Sequence, residues 1–432
     1  MLARAGFAVE VFEAAAEIGG GTRTAELTLP GFRHDVCSAI HPLARMSPAF
    51  REVGLELEWV ESPSACVHPF DDGTAVTLER SVADTALQLG ADGPSYERLV
   101  EPFVHAVRAV AEGRLPVAAA ARGLAALRSA RAVAESSFAG EPARGFFAGH
   151  AAHSLLPMER APSAGFGLVL LALGHAVGWP FPRGGSRAIA DGLAERLGRL
   201  GGRVHTSSPV DELPQADVVL ADVAPRELAR IARLPPRYAD ALRRYRHGPG
   251  AFKVDWALRE PIPWRATACR RAATVHLGAT FEEIAASERD NQSPHPYVLL
   301  AQQSPFDDTR APAGRHTAWA YCHVPNGFSD NRTDAIEAQV ERFAPGFRET
   351  ILARSVRGPA DLERENRNYV GGDINTGAMD LRQLLFRPAG RAIPYRTPLR
   401  GVYLCSAATP PGGGVHGLCG WLAAKLALRD AR

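Results

Sequence analysis

The sequence predicts an α/β protein in which one sheet domain is assembled from three separated stretches and an α+β domain fills the gaps between them. Three observations predict it. A short strand over residues 8–12 ends at an acid, Glu13, and a glycine turn, Gly19-Gly20-Gly21, follows it. A second glycine turn, Gly184-Gly185-Ser186, opens an amphipathic helix and then strand-like runs as far as Ala221. The chain closes on a strand, a glycine-rich turn and a helix over residues 401–428. Helices alternating with strands in this way mark a sheet covered by helices.

Each element has a local reason. Residues 2–6 read as the tail of a helix stopped by Gly6. Residues 8–12, AVEVF, have β-type composition. Strands are expected at 58–60, 65–70 and 74–78, with Asp72-Gly73 turning the last two into a hairpin. Residues 83–160, rich in Ala, Leu and Arg, read as mostly helical. Ser186 is expected to cap the next helix through its side chain, and Ile189, Leu193, Leu197 and Leu200 follow at helical spacing. Strands are expected at 203–206, 210–213, 216–221, 252–258, 298–302, 317–323 and 401–406, and helices at 335–344 and 415–428.

Composition narrows the function classes. With 46% hydrophobic and 22% charged residues the chain reads as globular. The net charge is +2, and only Lys253 and Lys425 are lysines. Arginines alternate with acids, as in Arg226-Glu227 and Glu363-Arg364-Glu365, whereas a nucleic-acid partner needs a concentrated basic face. Six cysteines without a CxxC pair read as reduced, buried thiols of a cytoplasmic protein. No secretory pattern follows Met1. The longest apolar run, residues 164–181, holds five glycines or prolines and one histidine. A spanning helix needs about 20 continuous apolar residues, so this run reads as a buried helix or one edge of an apolar tunnel.

Two glycine clusters compete as a dinucleotide fingerprint. Gly412, Gly414 and Gly417 match GxGxxG, follow a strand and open a helix. That motif needs a βαβ unit of about 30 residues with an acid about 20 positions on. Only 15 residues remain after Gly417, so neither fits. Glu13 has the opposite deficit. It ends a strand where a ribose-binding acid belongs, and its glycine turn would stand about 20 residues earlier, before Met1. An upstream stretch of roughly 25 residues is therefore expected to supply the first strand and turn.

The run Glu13-Ala-Ala-Ala-Glu-Ile-Gly19-Gly20-Gly21-Thr22-Arg23 resembles the ExxxxxGG continuation of the FAD fingerprint in phytoene desaturases, amine oxidases and their relatives. Pro182-Arg183-Gly184-Gly185-Ser186 is similar to a second feature of that group. The segment from Ser304 to Pro325, with Asp307 and Arg310, resembles the phytoene-dehydrogenase-related branch, as does Thr409-Pro-Pro-Gly412-Gly-Gly414-Val-His-Gly417. Within it the chain looks like the pyridine nucleotide-disulphide oxidoreductase domain-containing protein 2 type. Pro410 departs from the histidine that relatives often carry there.

The resemblance implies a discontinuous Rossmann-like FAD-binding domain over 1–56, 182–245 and 386–432, interleaved with a substrate domain over 57–181 and 246–385. It implies that Glu13 bonds the adenosine ribose, that Gly20 and Gly21 let the backbone approach FAD, and that Arg23 sits near the pyrophosphate or flavin. Val210 would flank the adenine. Gly412, Gly413, Gly414 and Val415 would set the closing helix against the flavin, where N–H groups and the positive helix end favour reduced flavin. The expected reaction is hydride removal from a small apolar, polyene or lipid-like substrate to flavin. The cofactor carries such chemistry, so no catalytic residue is assigned. Peripheral contact with a membrane stays open. Two alternatives stand beside this reading: a non-catalytic relative that binds a partner without FAD, and a flavin amine oxidase.

Other constellations are weaker. His150 and His153 can share a helix face, but zinc needs three or four ligands and no third stands nearby in the sequence, so no metal is expected. His175 and Trp179 face either the substrate or the core. Asp71-Asp72 and Asp307-Asp308 read as turn residues.

Overall fold

Side-chain alternation along a seven-stranded sheet decides how the molecule is layered. The computed structural model describes residues 1–112 and 123–431; part of the expected helical run, 113–122, lies outside them. The strands run in the order Ile351–Arg357, Gly250–Leu258, His316–Val324, Val298–Ala301, Thr274–Leu277, Cys66–Pro69 and Ala75–Leu78. Only Thr274–Leu277 and Cys66–Pro69 pair in parallel. Val67, Val275, Leu300 and Ala320 point to one face, where they pack with Ile336, Val340 and Phe347. Cys66, Leu299, Ala301 and Trp319 point to the other, against a layer of helices. Burial on both faces explains why the inner strands are buried at every position of Gly250–Leu258, Thr274–Leu277 and Val298–Ala301, whereas the edge strand Ile351–Arg357 alternates.

Glycines set the position of two helices of that layer. Glu141–Ala151 lies close to the sheet because Gly145 and Gly149 face it; a Cβ on Gly145 would press on the Ala279 carbonyl. Ser163–Val177 is apolar nearly all round because it is enclosed: Leu168, Leu171 and Ala172 are fully buried, and Gly167 sits against Ala151. This is the buried-helix reading of residues 164–181. His175 turns into the core and pairs with Tyr96 Oη at 2.7 Å. Among the described residues no helix is long and apolar enough to cross a membrane.

The nucleotide-type strands form two parallel pairs, Glu10–Phe12 with Arg203–His205 and Val219–Ala221 with Val402–Leu404. No ladder joins the pairs among the described residues. Val11 and Phe12 are about two-fifths exposed at 40% and 43%. The expected strand at 210–213 is absent: residues 206–218 are irregular. Pro209 and Pro214 bracket that stretch and remove ladder donors. The 58–60 strand is Trp59–Val60, and it pairs with Phe181–Pro182 rather than with the hairpin.

A buried ionic knot ties these parts together. Asp35 accepts from Thr24 Oγ1 at 2.8 Å, from the Ser186 backbone N–H at 2.8 Å and from Arg310 at 2.9 Å. Arg310 also donates to Asp307 at 2.9 Å, and Asp307 accepts from the Gly184 backbone N–H at 2.9 Å. Both Asp35 and Arg310 are buried. Burial alone raises the Asp35 carboxyl, but the Arg310 charge and the hydrogen bonds outweigh it and hold the group below its usual range. Ser186 is thus no side-chain cap. Its hydroxyl donates to the Ser38 carbonyl at 2.7 Å and meets His41 Nε2 at 2.8 Å.

Candidate active site

One elongated cavity of about 570 Å³ runs between the two parts of the molecule, a size typical of cofactor and ligand sites. Its lining brings together Gly21, Thr22, Cys37 and Asp222, the closing glycine run Gly412, Gly413, Gly414 and Val415 with Asn375 and His41, and an apolar, aromatic set, Leu170, Trp179, Leu299, Trp319 and Tyr321, with His153.

The glycine run is shaped by backbone geometry. Gly412 and Gly414 have φ of +109° and +114°, a region that side chains rarely adopt. A Cβ on Gly414 would lie 2.8 Å from Leu43 Cδ1, and one on Gly413 would lie 3.0 Å from Asn375 Oδ1. Gly417 ends the turn in the left-handed region, and the helix Leu418–Asp430 begins at the next residue. No backbone N–H from Gly413 through Gly417 is donated to another group of the described chain. A set of free N–H donors at a helix entry suits an electron-rich or anionic ligand edge. Gly21 makes the opposite wall, because a Cβ there would press on the hydroxyl of Tyr369.

The predicted site residues divide. Gly21, Gly412, Gly413, Gly414 and Val415 line the cavity. Gly20 lies one residue outside the wall, with φ of +51°. Arg23 is turned away: its Nε donates to the Gly20 carbonyl at 3.1 Å, and its Nη2 stands 3.8 Å from Glu365. Glu13 closes its own turn by accepting from Ala15 N–H at 2.8 Å, and the field of its carboxylate reaches Asp222. Val210 sits in the irregular stretch, where its carbonyl accepts from Arg230 at 3.2 Å, so it is not the strand residue that the sequence suggested.

Sequence reasoning missed Asp222, His41 and the Trp319–Tyr321 pair. Asp222 follows the strand Val219–Ala221 and opens to the cavity. Asp222 is exposed to the open cavity, yet desolvation by the walls around it, and then repulsion from Glu13, raise its carboxyl to about 6. Between its ordinary 3.8 and about 6 the folded protein holds a proton that the unfolded chain has released, so this site destabilises the fold fully only above that window. An Asp222→Asn variant is expected to melt at a higher temperature than wild type above pH 6, with the gain vanishing below 3.8, as thermal scans across pH would read. Burial keeps His41 neutral, at about 4. Trp319 and Tyr321 stack with centroids 6.1 Å apart and planes 16° apart. Lys253, bound to the Asp255 carboxylate, presents its ammonium to the Trp319 ring at 4.9 Å.

This cavity and fold define a flavin-dependent oxidoreductase, and the comparisons agree. The family model of flavin containing amine oxidoreductases matches residues 1–419, so the chain belongs to that family, whose cofactor is FAD. It is 26% identical to mouse (Mus musculus) pyridine nucleotide-disulfide oxidoreductase domain-containing protein 2, over 100% of this chain and 91% of that one. It is 23% identical to the lycopene-forming phytoene desaturase of Pseudescherichia vulneris, over 55% of this chain and 53% of that one. Its fold is similar to that of an oxidoreductase from Methanosarcina mazei (TM-score 0.67, 16% identity, 98% and 95% coverage). A putrescine oxidase variant gives a TM-score of 0.64 at 17% identity, with 100% and 95% coverage.

The residues present fit the flavin end of FAD: Gly21 and the Gly412 to Gly414 run both line the cavity, and the N–H donors from Gly413 through Gly417 are free.

Proposed function

We infer that this chain is an FAD-dependent dehydrogenase or desaturase acting on an apolar substrate. The observation that carries this reading is the apolar and aromatic part of the cavity lining, Leu170, Trp179, Leu299, Trp319 and Tyr321, beside which Asp222 is the only carboxylate among the described residues of the lining. Bound FAD would accept the hydride. The chain's own residues do the rest. Gly412, Gly413, Gly414 and Val415 hold one edge of the ring system, and Gly20 and Gly21 let the cofactor approach from the other side. Glu13 bonds the ribose, and Arg23 reaches the pyrophosphate by leaving Glu365. The aromatic wall excludes water and orients the substrate chain. His153 borders this wall as a neutral ring, because burial pushes it down to about 3. The sheet domain is proposed to comprise 1–56, 182–245 and 386–432.

Amine oxidation is the second reading. It draws on the likeness to putrescine oxidase and on the stacked Trp319 and Tyr321 rings, which suit a cation. Lys253 weighs against it, since an ammonium already faces Trp319. The test is anaerobic mixing of the FAD-loaded protein with a polyene or long-chain apolar compound and, separately, with a primary diamine. Bleaching of the flavin band by the apolar compound alone is expected. Bleaching by the diamine alone would overturn the substrate class.

A further inference from the structure

Behind the aromatic end of the cavity, a group of buried imidazoles and one thiol converges from three elements. Cys66 and His68 share one face of their strand, and His276 projects from the adjacent parallel strand Thr274–Leu277. His150 comes down from the helix Glu141–Ala151. All four are buried, at 0% exposure. One ligand atom each from Cys66, His150 and His276 lies within 4.8 Å of the other two. These three do not line the cavity; His153, which does, meets His276 through its Nε2.

The hydrogen bonds leave one nitrogen of each ring without a partner. His150 donates through Nδ1 to the Phe146 carbonyl at 2.8 Å, and its Nε2 is orphaned. His68 uses Nε2 toward the Ala279 carbonyl at 2.7 Å, and its Nδ1 is orphaned. His276 meets His153 through Nε2 at 3.0 Å, and again Nδ1 is orphaned. Three buried imidazole nitrogens without partners are costly, each by an amount comparable to a lost hydrogen bond. The pattern is that of metal-binding histidines, whose outer N–H is held by a carbonyl or a second ring while the other nitrogen keeps its lone pair for the ion. Gly149 leaves room for this: a Cβ there would sit 3.0 Å from both His276 Nδ1 and His68 Nδ1.

We propose that Cys66, His150 and His276 form a buried site for a soft d10 cation, Zn²⁺ or Cu⁺, with the orphaned His68 Nδ1, which lies outside that three-atom cluster, moving in as the fourth ligand. Thiolate and imidazole select these ions over oxygen-seeking Mg²⁺ or Ca²⁺. Bond lengths of about 2.0–2.3 Å place tetrahedral ligand atoms about 3.3–3.6 Å apart, so the three atoms close in by about 1 Å on binding. The Cys66 thiol releases its proton to solvent as the metal–sulfur bond forms. One thiolate balances Cu⁺ and leaves Zn²⁺ with one uncompensated charge, so the site's own charge favours Cu⁺. The ion would pin the helix Glu141–Ala151 to the sheet behind the cavity.

The test uses the full chain stripped with a chelator and then given ZnCl₂ or, anaerobically, Cu⁺. Uptake of one ion per chain, measured by mass spectrometry of the metal, and a melting temperature raised by several degrees are expected. Uptake of Zn²⁺, Cu⁺ or both supports the site and says which ion it takes. Co²⁺ as a probe is expected to give a thiolate charge-transfer band that disappears in Cys66→Ser. Gly149→Ala, which leaves every ligand in place, is expected to weaken uptake at least tenfold. Substoichiometric uptake of both ions by wild type with an unchanged melting temperature would overturn the proposal. So would a Co²⁺ spectrum without the thiolate band, which needs no variant to fold.

Discussion

An Asp35→Ala variant is expected to lose about 3–5 kcal/mol of folding stability, the cost of leaving one member of a buried ion pair without its partner. Arg310 would keep Asp307 but lose the carboxylate that meets its other nitrogen, and it is only 1% exposed. The same change frees Thr24 Oγ1 and the Ser186 N–H. The effect would reach the cavity through Ser186, whose hydroxyl fixes His41. Chemical denaturation reads the loss directly. The pH dependence has a definite sign. Because the folded carboxyl titrates below its ordinary 3.8, its contribution is complete above that value and fades as pH falls through the lower folded value. Asp35→Asn is therefore expected to flatten the acid limb of the stability curve. A loss under about 1 kcal/mol in Asp35→Ala would mean that the knot is not a joint of the fold.

Gly414→Val is expected to weaken FAD binding about tenfold or more while leaving the protein folded. Its φ of +114° is strained for any side chain and worse for a β-branched one. The new Cβ would also meet Leu43 Cδ1 at 2.8 Å, and Leu43 is part of the cavity wall. The loop has to move, and the free N–H donors of Gly413 through Val415 move with it. About 1.4 kcal/mol of lost interaction corresponds to each factor of ten. Flavin fluorescence titration of variant and wild type measures the difference; equal affinities would separate the glycine run from the cofactor.

How much of this was legible in the sequence follows from sequence distance. Local turns read well. Gly6, Gly19 and the Asp72-Gly73 hairpin stand where turn chemistry placed them. The glycines at 412 to 414, expected beside the flavin, line the cavity. What could not be read were partnerships across the chain. Asp35 meets a residue 151 positions away and another 275 away. His150 looked isolated because Cys66 and His276 reach it only through strand pairing and a close helix. The alternation Cys66-Val67-His68 carried a hint, since it puts two ligand-type side chains on one strand face. Val210 failed for a local reason, as flanking prolines outweighed its β-branched side chain. Ser186 failed because a buried histidine competed for its hydroxyl.

The account stands on FAD occupying the cavity between Gly21 and the Gly412 to Val415 run. Titrating FAD into the purified chain, followed by calorimetry and by quenching of flavin fluorescence, tests this most directly. The account predicts saturable binding of one FAD per chain, with the flavin shielded from solvent. A flat titration with a fully folded protein would contradict it and favour a relative that keeps the fold without the cofactor.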